Sequence, residues 1–297
     1  MAFSFYDVLL LLFCFTNWVQ KKYTEFKKII LGHYRKSGRH NLPWRPPVLK
    51  MRKDGSIDPY KVLVSEIMLQ QTQVDRVIPF YTNFLKRFPN IAALAKAPLS
   101  EVLICWHGLG YNRRAKMLHE CAKAIVARHG KAVPRNRTEL LALPGVGPYI
   151  AGAVRAFAFN EPEVFIETNI RTVYTHHFLN DHPQVLDAEV VPLIEATLDT
   201  KNPRLWYSAL MDYGSYLKKS GIKINAKNAA YKKQSKFEGS DRQVRGALLR
   251  ALIPGAVSER MLLKTLADFK SERVKAQLSR LLKEGMVVLE KKKWRLP

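Results

Sequence analysis

The sequence predicts a mainly α-helical protein, on three observations. Apolar residues recur at helical spacing in a series of short segments, and Pro or Gly separates most of these segments. Strand-like alternation of apolar and polar residues is confined to two short runs near the C-terminus, 286–289 and 293–296. The chain has 297 residues, of which 47% are hydrophobic and 25% are charged, so it can bury a sizeable core in one large domain or two modest ones.

An apolar extension, residues 1–22, precedes the helical body. Its segment Phe3–Val19 is interrupted by Asp7 and has neither a basic start nor a small-residue cleavage site, which argues against a secretory signal. At about 17 residues, it lies at the short limit of a membrane span. We expect a helix that packs on the body or on a partner, and we do not expect membrane association. Membrane attachment and an incorrectly assigned start site are the alternatives.

The body is predicted to be helical from Tyr23 to Leu217. An amphipathic helix over Tyr23–Ser37 is followed by a long loop, 38–59, that is rich in Pro, Arg and Lys. Apolar periodicity bounded by Pro, Gly and polar residues then predicts the helices Lys61–Gln73, Val77–Phe88, Ile91–Ala95, Leu99–His107, Arg113–His129, Arg137–Leu143, Tyr149–Phe159, Asn169–Phe178, Ala188–Leu198 and Pro203–Leu217.

The C-terminal part of the chain changes character. Residues 218–240 are basic, polar and poor in apolar side chains, as is typical of a linker. Residues 241–297 combine three predicted helices with a basic hairpin, which is a winged-helix pattern. Basic residues on the third helix and the wing favour contact with DNA: Arg273, Lys275, Arg280 and Lys291–Lys293. A dimerisation or docking module is the alternative.

Charge and cysteine content restrict the function classes. Lys and Arg number 49 against 25 acidic residues, a net charge of +24 that suits a polyanion such as nucleic acid. An anionic membrane surface would attract the same charge, and a merely basic soluble protein is the third possibility. The three cysteines, Cys14, Cys105 and Cys121, fit neither a zinc site nor a disulfide framework, which indicates a reducing cytoplasm.

The most informative stretch is residues 143–155, which begins Leu-Pro-Gly-Val-Gly-Pro-Tyr. Gly145 and Gly147 lie in a short turn that Pro144 opens between two predicted helices. Glycine permits positive φ values and close approach of the backbone to a partner. We expect the N–H groups of Val146 and Gly147 to cradle a DNA phosphate without reading the base. An ordinary helical hairpin is the alternative.

Three further motifs precede this hairpin in the sequence. They are Leu42–Arg45 (Leu-Pro-Trp-Arg), Val62–Val74 (Val-Leu-Val-Ser-Glu-Ile-Met-Leu-Gln-Gln-Thr-Gln-Val) and Gly108–Arg113 (Gly-Leu-Gly-Tyr-Asn-Arg). In this order, and with the hairpin at 143–149, they resemble the helix–hairpin–helix (HhH-GPD) DNA glycosylases, and within these the adenine glycosylases of the MutY family. The resemblance covers residues 23–217 and implies a two-lobed helical glycosylase domain there.

The resemblance implies a pair of catalytic carboxyl groups. Glu66 matches the general acid, which protonates the departing adenine at N7. Glu167 stands where the family has the Asp of an Asp-Gly-Asn-Val motif, with Thr168 in place of the Gly. We expect Glu167 to stabilise the positive charge on the sugar, although it is one methylene longer; loss of catalysis is the alternative.

Tyr149 decides the reaction subtype. Relatives that also cleave the DNA backbone resemble endonuclease III and carry a Lys there, which forms a Schiff base. A tyrosine cannot form an imine, so we expect no strand cleavage. Its hydroxyl can hydrogen-bond a catalytic carboxylate, and we expect it to support Glu167.

The resemblance also implies a set of DNA contacts. An extruded base leaves a gap in the DNA stack. Tyr111 matches the family residue that fills this gap. The other matched residues are Leu109 and Gly110 beside Tyr111, Gln70, Gln71 and Thr72 facing the partner base, and Trp44 and Arg45 near the adenine pocket. Packed loop aromatics and solvated helix residues are the alternatives for these positions.

Two family parts are missing from the sequence. Many members carry an iron–sulfur loop of four cysteines after a Met-Asp-Leu-Gly stretch, but no cysteine follows Met211–Gly214 here. We therefore expect no cluster and no other cofactor, with phosphate contacts from Lys218–Lys236 instead. The domain that recognises 8-oxoguanine also has no counterpart. The pair His176 and His177 lacks carboxylate or cysteine partners, so we expect no metal site.

The sequence therefore predicts a monofunctional base-excision DNA glycosylase. We expect it to remove adenine opposite 8-oxoguanine or guanine from double-stranded DNA, as a monomer in the cytoplasm at the nucleoid. A thymine or uracil mismatch glycosylase on the same scaffold is one alternative, and a DNA-binding protein without catalysis is another.

Overall fold

The computed structural model describes residues 5–45, 52, 54–222, 224–231 and 233–297, with only the backbone for 5–15. The chain forms two compact units, each built from two separate stretches. The first unit combines Met1–Asn41 with Arg155–Lys232, and the second combines Leu42–Val154 with Lys233–Pro297. The predicted domain boundaries at 217 and 240 stay predictions.

The described part of the chain is mainly helical, as the sequence predicts. In chain order its elements are α1 (Phe5–Ser37), α2 (Pro59–Leu69), α3 (Val74–Arg87), α4 (Ile91–Lys96), α5 (Leu99–Trp106), α6 (Arg113–Arg128), α7 (Arg137–Leu141), α8 (Pro148–Ala153), a π-helical turn (Val154–Phe159), α9 (Thr168–Phe178), α10 (Asp187–Thr197), α11 (Pro203–Lys219), a 3₁₀ turn (Ile224–Lys227), α12 (Asp241–Leu252), β1 (Val257–Ser258), α13 (Glu259–Thr265), α14 (Ser271–Lys283), β2 (Val288–Glu290) and β3 (Lys293–Arg295).

Several predicted helix limits differ from the structure; α3, for example, begins at Val74 rather than Val77, and Val154–Phe159 is a π-helical turn rather than α-helix. From Phe5, the first described residue, the backbone of the extension continues without a break into the helix predicted at Tyr23–Ser37, so that α1 is one helix of 33 residues. The side chains of residues 1–15, on which its expected packing depends, lie outside the described residues. Helix α2 ends at Leu69 rather than Gln73, because Gln71 adopts a left-handed φ of 54° that no α-helix continues through.

Aromatic packing forms the core of the first unit. The ring of Phe26 on α1 contacts Tyr174 and Phe178 of α9 and Trp206 of α11, with ring centroids 5.2, 4.9 and 5.8 Å away. The buried carboxylate of Asp212 accepts hydrogen bonds of 2.7 Å from the backbone N–H and the Nε of Arg39, just after α1. Hydrophobic burial and this ion pair thus hold α1 on α11.

A close approach of α9 and α11 fixes the start of α9. A Cβ on Gly214 would lie 2.4 Å from the carbonyl oxygen of Asn169. Such a distance is far below van der Waals contact, so glycine is required for this packing. The start of α9 is where Glu167 lies.

The second unit has a separate core from α2 to α6. Its largest fully buried side chains include Leu63, Met68, Phe84, Trp106 and Leu118. The C-terminal residues 241–297 form three helices and a three-stranded antiparallel sheet in the order β1-β3-β2. The two-residue strand β1 was not predicted, since it is too short to show alternation. The winged-helix assignment stays a prediction.

Two kinds of feature are absent from the described residues. No helix in the described part of the chain combines the length and the apolar character that crossing a membrane requires. Within the same residues, no three His, Cys, Asp or Glu side chains lie together as a metal ion would need.

Candidate active site

Glu66 lies on the buried helix α2. Pro59 opens this helix, and the side chain of Asp58 accepts a hydrogen bond of 3.1 Å from the N–H of Tyr60, which caps it. Every residue from Pro59 to Met68 except Lys61 is buried, and Glu66 itself is only 5% exposed. The carboxyl group of Glu66 is therefore largely shielded from solvent on an apolar helix.

Tyr149 reaches Glu66 from the hairpin. It is the second residue of α8, and its hydroxyl donates a hydrogen bond to Oε2 of Glu66. The sequence predicts that this hydroxyl supports Glu167, whereas in the structure it is paired with the predicted acid. The bond fixes one carboxyl oxygen and orients the other.

Only part of the hairpin matches the expected phosphate cradle. Gly145 has a φ of 76°, and a Cβ there would lie 2.7 Å from the Cβ of Met117, so glycine is required at this position. The N–H of Val146, however, donates to the carbonyl of Leu143 at 3.2 Å, and its side chain is buried. The expected pair of free N–H groups is therefore reduced to Gly147, whose N–H has no acceptor among the described residues.

Arg114 joins the end of α2 to the loop before α6. Its Nη1 donates to the carbonyls of Ile67 and Met68 at 2.9 and 2.8 Å, and to that of Gln70. Its Nη2 donates to Thr72 Oγ1 at 3.0 Å and to the carbonyl of Gly110 at 3.1 Å. Burial lowers the pKa of Arg114 to about 10.

This clamp was missed by the sequence analysis. A cation at the end of α2 also interacts favourably with the helix dipole. Because the acceptors are mainly backbone carbonyls, no residue pattern marks them; the only available signal is that Arg114 directly follows the Gly-Leu-Gly-Tyr-Asn-Arg motif.

Two predicted DNA contacts have unusual backbone conformations. Gln71 and Tyr111 have left-handed φ values of 54° and 50°. Such conformations are costly for residues other than glycine, and they persist where the surroundings impose them. Arg114 binds the carbonyls of Gln70 and Gly110, the residues directly before Gln71 and Tyr111. Gln71 is exposed, and Thr72 donates to the carbonyl of Gln70 at 3.2 Å.

Three other predicted contacts pack or hydrogen-bond within this unit. Leu109 is 3% exposed, so its side chain packs in the core, and its contact with DNA stays a prediction. Trp44 is 8% exposed, and its ring packs edge-on against Tyr81 with centroids 5.4 Å apart. The N–H of Arg45 donates to the carbonyl of Leu42 at 2.8 Å. Contact of Trp44 and Arg45 with a bound base stays a prediction.

Glu167 caps helix α9 in the first unit. Its Oε1 accepts hydrogen bonds from the N–H groups of Asn169 and Ile170 at 2.7 and 3.2 Å. The side chain thereby supplies an acceptor to two N–H groups that have no partner within the helix. The usual residues at this position have shorter side chains: Asp, Asn, Ser and Thr. Glu167 makes the same capping hydrogen bonds despite its extra methylene.

Lys218 approaches the same helix end. Its Nζ donates to Asn169 Oδ1 at 2.7 Å, and burial lowers the pKa of Lys218 while the charge of Glu167 opposes that shift. Lys218 is thus engaged inside the first unit, whereas the sequence analysis expected it to contact a phosphate. His177, for which no metal site was expected, packs its ring against Phe26 with centroids 5.1 Å apart.

Comparison with known proteins places these residues in a family. Residues 64–190, which include Glu66, Tyr111, the hairpin and Glu167, match the model of the HhH-GPD superfamily of base excision DNA repair proteins. The chain is 37% identical over 232 residues to an adenine DNA glycosylase of Mycolicibacterium smegmatis, covering 72% of this chain and 76% of the relative. The chain belongs to the HhH-GPD superfamily, and within it to the MutY type.

Other similar proteins agree with this family. An adenine DNA glycosylase of Buchnera aphidicola is 36% identical over 202 residues, which are 67% of this HhH-GPD chain but only 55% of that relative. A solved thermostable thymine-DNA glycosylase matches with a TM-score of 0.56 and 28% identity, over 66% of this chain and 88% of that one.

Glu66 and Glu167 lie in different units, and their convergence on one cavity stays a prediction.

Proposed function

We propose that this chain is a monofunctional DNA glycosylase that removes adenine from double-stranded DNA, opposite 8-oxoguanine or guanine. The observation that carries the proposal is the buried carboxyl group of Glu66, held by the hydroxyl of Tyr149 at the hairpin. The adenine glycosylases among the relatives support the choice of base, and the net charge of +24 supports DNA as the partner.

The proposed chemistry begins with proton transfer. Protonated Glu66 gives its proton to N7 of the extruded adenine, and the bond between C1′ and N9 breaks with its electron pair going to the base. The sugar is left with oxocarbenium character. Water then adds to C1′, and its proton goes to the carboxylate of Glu66, which restores the acid.

Glu167 supplies the charge that the sugar needs. The two N–H groups at the start of α9 stabilise its carboxylate, and Oε2 accepts no hydrogen bond from the described residues. We propose that this oxygen faces the electron-poor sugar. In many enzymes, electrostatic stabilisation by preorganised groups contributes more to the rate than any other single effect.

Tyr149 limits the reaction to hydrolysis. A phenol holds Glu66 but cannot attack C1′ to form an imine, so an abasic site is the expected final product rather than a cleaved strand.

The residues that follow α11 do not fit an iron–sulfur cluster. Such clusters are held by four cysteine thiolates, and the sequence has none after Cys121. The segment is held instead by hydrogen bonds, from Thr175 to Asn228 Oδ1 at 3.0 Å and between Val185 and the backbone of Lys227 and Ala229 at 2.8 and 3.0 Å. We propose that the chain works without a cofactor. We also propose that it acts as a monomer, in the cytoplasm at the nucleoid.

The test is substitution of the acid. Glu66→Gln should lower the single-turnover rate of adenine release at least about 100-fold, since it removes the group proposed to protonate N7 of adenine. The assay is mass-spectrometric detection of free base from duplexes containing A:8-oxoG and A:G pairs. Glu139→Gln, an exposed glutamate on α7, is the matched control and should leave the rate unchanged. Equal rates for Glu66→Gln and the parent would falsify the assignment.

A second candidate rests on the likeness to a solved thymine-DNA glycosylase. The same acid, cap and tyrosine can serve the removal of thymine or uracil opposite guanine. G:T and G:U duplexes in the same assay separate the two candidates, because release of pyrimidine alone would favour the second. Tight duplex binding with no base released from any duplex would instead favour a protein that only binds DNA.

A further inference from the structure

A cavity of about 330 Å³ lies in the second unit, apart from the carboxyl group of Glu66. It is lined by the end of α2, the start of α6, the hairpin and α12. Helix α12 belongs to the C-terminal tail, residues 233–297. The volume is at the lower end of the range of small-molecule pockets, enough for one planar base. Glu66 does not line it, so the cavity is not where the proposed acid acts.

Tyr111 and Arg242 form one wall of this cavity. The hydroxyl of Tyr111 accepts hydrogen bonds from Arg242 Nη1 at 2.7 Å and from the side chain of Gln234. The guanidinium carbons of Arg114 and Arg242 lie 5.3 and 5.2 Å from the centre of the tyrosine ring. The tail therefore contributes directly to the surroundings of the residue predicted to fill the gap in the DNA stack.

Arg242 keeps hydrogen-bonding capacity for a ligand. Its Nη2 donates to the carbonyl and hydroxyl oxygens of Ser235 at 2.6 and 3.4 Å, and its Nη1 donates to Tyr111. A guanidinium carries five N–H groups, so donors remain that meet no acceptor among the described residues. Arg245, in contrast, is committed to a bidentate pair with Glu284 at 3.2 and 2.6 Å.

The lining selects the class of base. Arg242 supplies free donors, Met117 supplies an apolar surface, and no carboxylate is among the described residues that line the cavity. Arginine pairs with the adjacent O6 and N7 acceptors of guanine, whereas it has no acceptor for the amino group of cytosine. The cavity therefore favours a guanine-type base over cytosine.

We propose that this cavity binds the unpaired partner base, guanine or its 8-oxo derivative, and that Arg242 of the tail determines that preference. The inference rests on the proposed function in one respect: extrusion of a base leaves its partner without a pair. Arg242, a residue of the tail that contacts Tyr111, would then recognise the partner base.

The test measures binding without excision. Duplexes of one sequence carry a tetrahydrofuran abasic analogue opposite guanine, 8-oxoguanine, thymine or cytosine, and dissociation constants are measured by fluorescence anisotropy at fixed salt. The parent should bind the guanine-type duplexes more tightly than the cytosine duplex. Arg242→Met should reduce this preference about 10-fold, which is the loss of one guanidinium–guanine pair. Arg242→Lys, which keeps the charge but not the planar fork, should also reduce it.

A matched control removes the same charge elsewhere. Arg260→Met on α13 is exposed and lines no part of the cavity, so it should weaken all four duplexes alike and leave the preference unchanged. Thermal melting checks that each variant is folded. A preference retained in both Arg242 variants, or absent from the parent, overturns the inference.

The outcome is separable from that of the proposed function. The abasic duplexes contain no base to release, so Glu66→Gln should keep the parent's partner preference even where it releases no adenine. A parent that reads the partner base but releases nothing would leave the inference intact and overturn the glycosylase proposal.

Discussion

At the scale of single residues, the two carboxyl groups differ in how the chain holds them. Glu66 is buried on an apolar helix, where a tyrosine hydroxyl donates to one of its oxygens. Glu167 is bound by two backbone N–H groups at a helix start. One carboxyl group is thus enclosed by an apolar helix, whereas the other completes the hydrogen bonding of a helix start.

Substitutions of Glu167 separate its charge from its cap. Glu167→Gln keeps an oxygen that can cap α9 but removes the negative charge, so the rate of base release should fall about 100-fold while stability changes by less than about 1 kcal/mol. Glu167→Asp keeps both properties and should retain most of the rate. Single-turnover kinetics and urea unfolding measure the two quantities. A Gln variant as fast as the parent would show that the charge has no part in the reaction.

At the scale of secondary-structure elements, Arg114 connects three of the segments that carry the site. It binds the carbonyls at the end of α2, the turn at Thr72 and the loop at Gly110. The same clamp ends α2 before Gln71, so the element that presents Glu66 and the loop that presents Tyr111 share one anchor.

Removal of this anchor has a measurable cost. Arg114→Met leaves partly buried carbonyl groups without donors, which should lower the free energy of unfolding by about 2 kcal/mol. Arg113→Met, the exposed neighbour, should change it by less than about 0.5 kcal/mol. The shift of the urea midpoint at constant slope reports both values. Equal midpoints for the two variants would show that Arg114 does not hold these elements together.

At the scale of the whole molecule, wholly or partly buried histidines predict sensitivity to acid. Burial lowers the pKa of four histidines, and that of His177 falls to about 4; the others are His33, His107 and His119. Their ordinary value in an unfolded chain is about 6.5. Between these values the unfolded state binds more protons than the folded state, so stability falls as the pH drops from about 6.5 towards 4.

The corresponding measurement is thermal unfolding at pH 7.0, 5.5 and 4.5. The melting temperature should fall over this series, and His177→Gln should make the fall smaller, since this side chain no longer takes up a proton on unfolding. The same decrease in the parent and in His177→Gln would mean that other groups account for the acid sensitivity.

The sequence predicted much of this architecture, and its failures have physical causes. Apolar periodicity located the helix with Glu66, and Pro and Gly located the hairpin. Periodicity cannot detect the contacts that end a helix, so α2 was predicted four residues too long. A turn signal likewise cannot tell which N–H groups bond within the turn, as that of Val146 does to the carbonyl of Leu143. The Arg114 clamp depends on backbone acceptors more than 40 residues away in sequence.

The discontinuous build of the first unit has a consequence for biosynthesis. Helix α1 leaves the ribosome early, yet Tyr174, Phe178 and Trp206, against which Phe26 packs, are translated only after all of 42–154. At ordinary elongation rates this delay is on the order of ten seconds. Throughout that interval a nascent helix displays its apolar stripe to solvent, which makes it a natural target for chaperone capture before the polypeptide is finished.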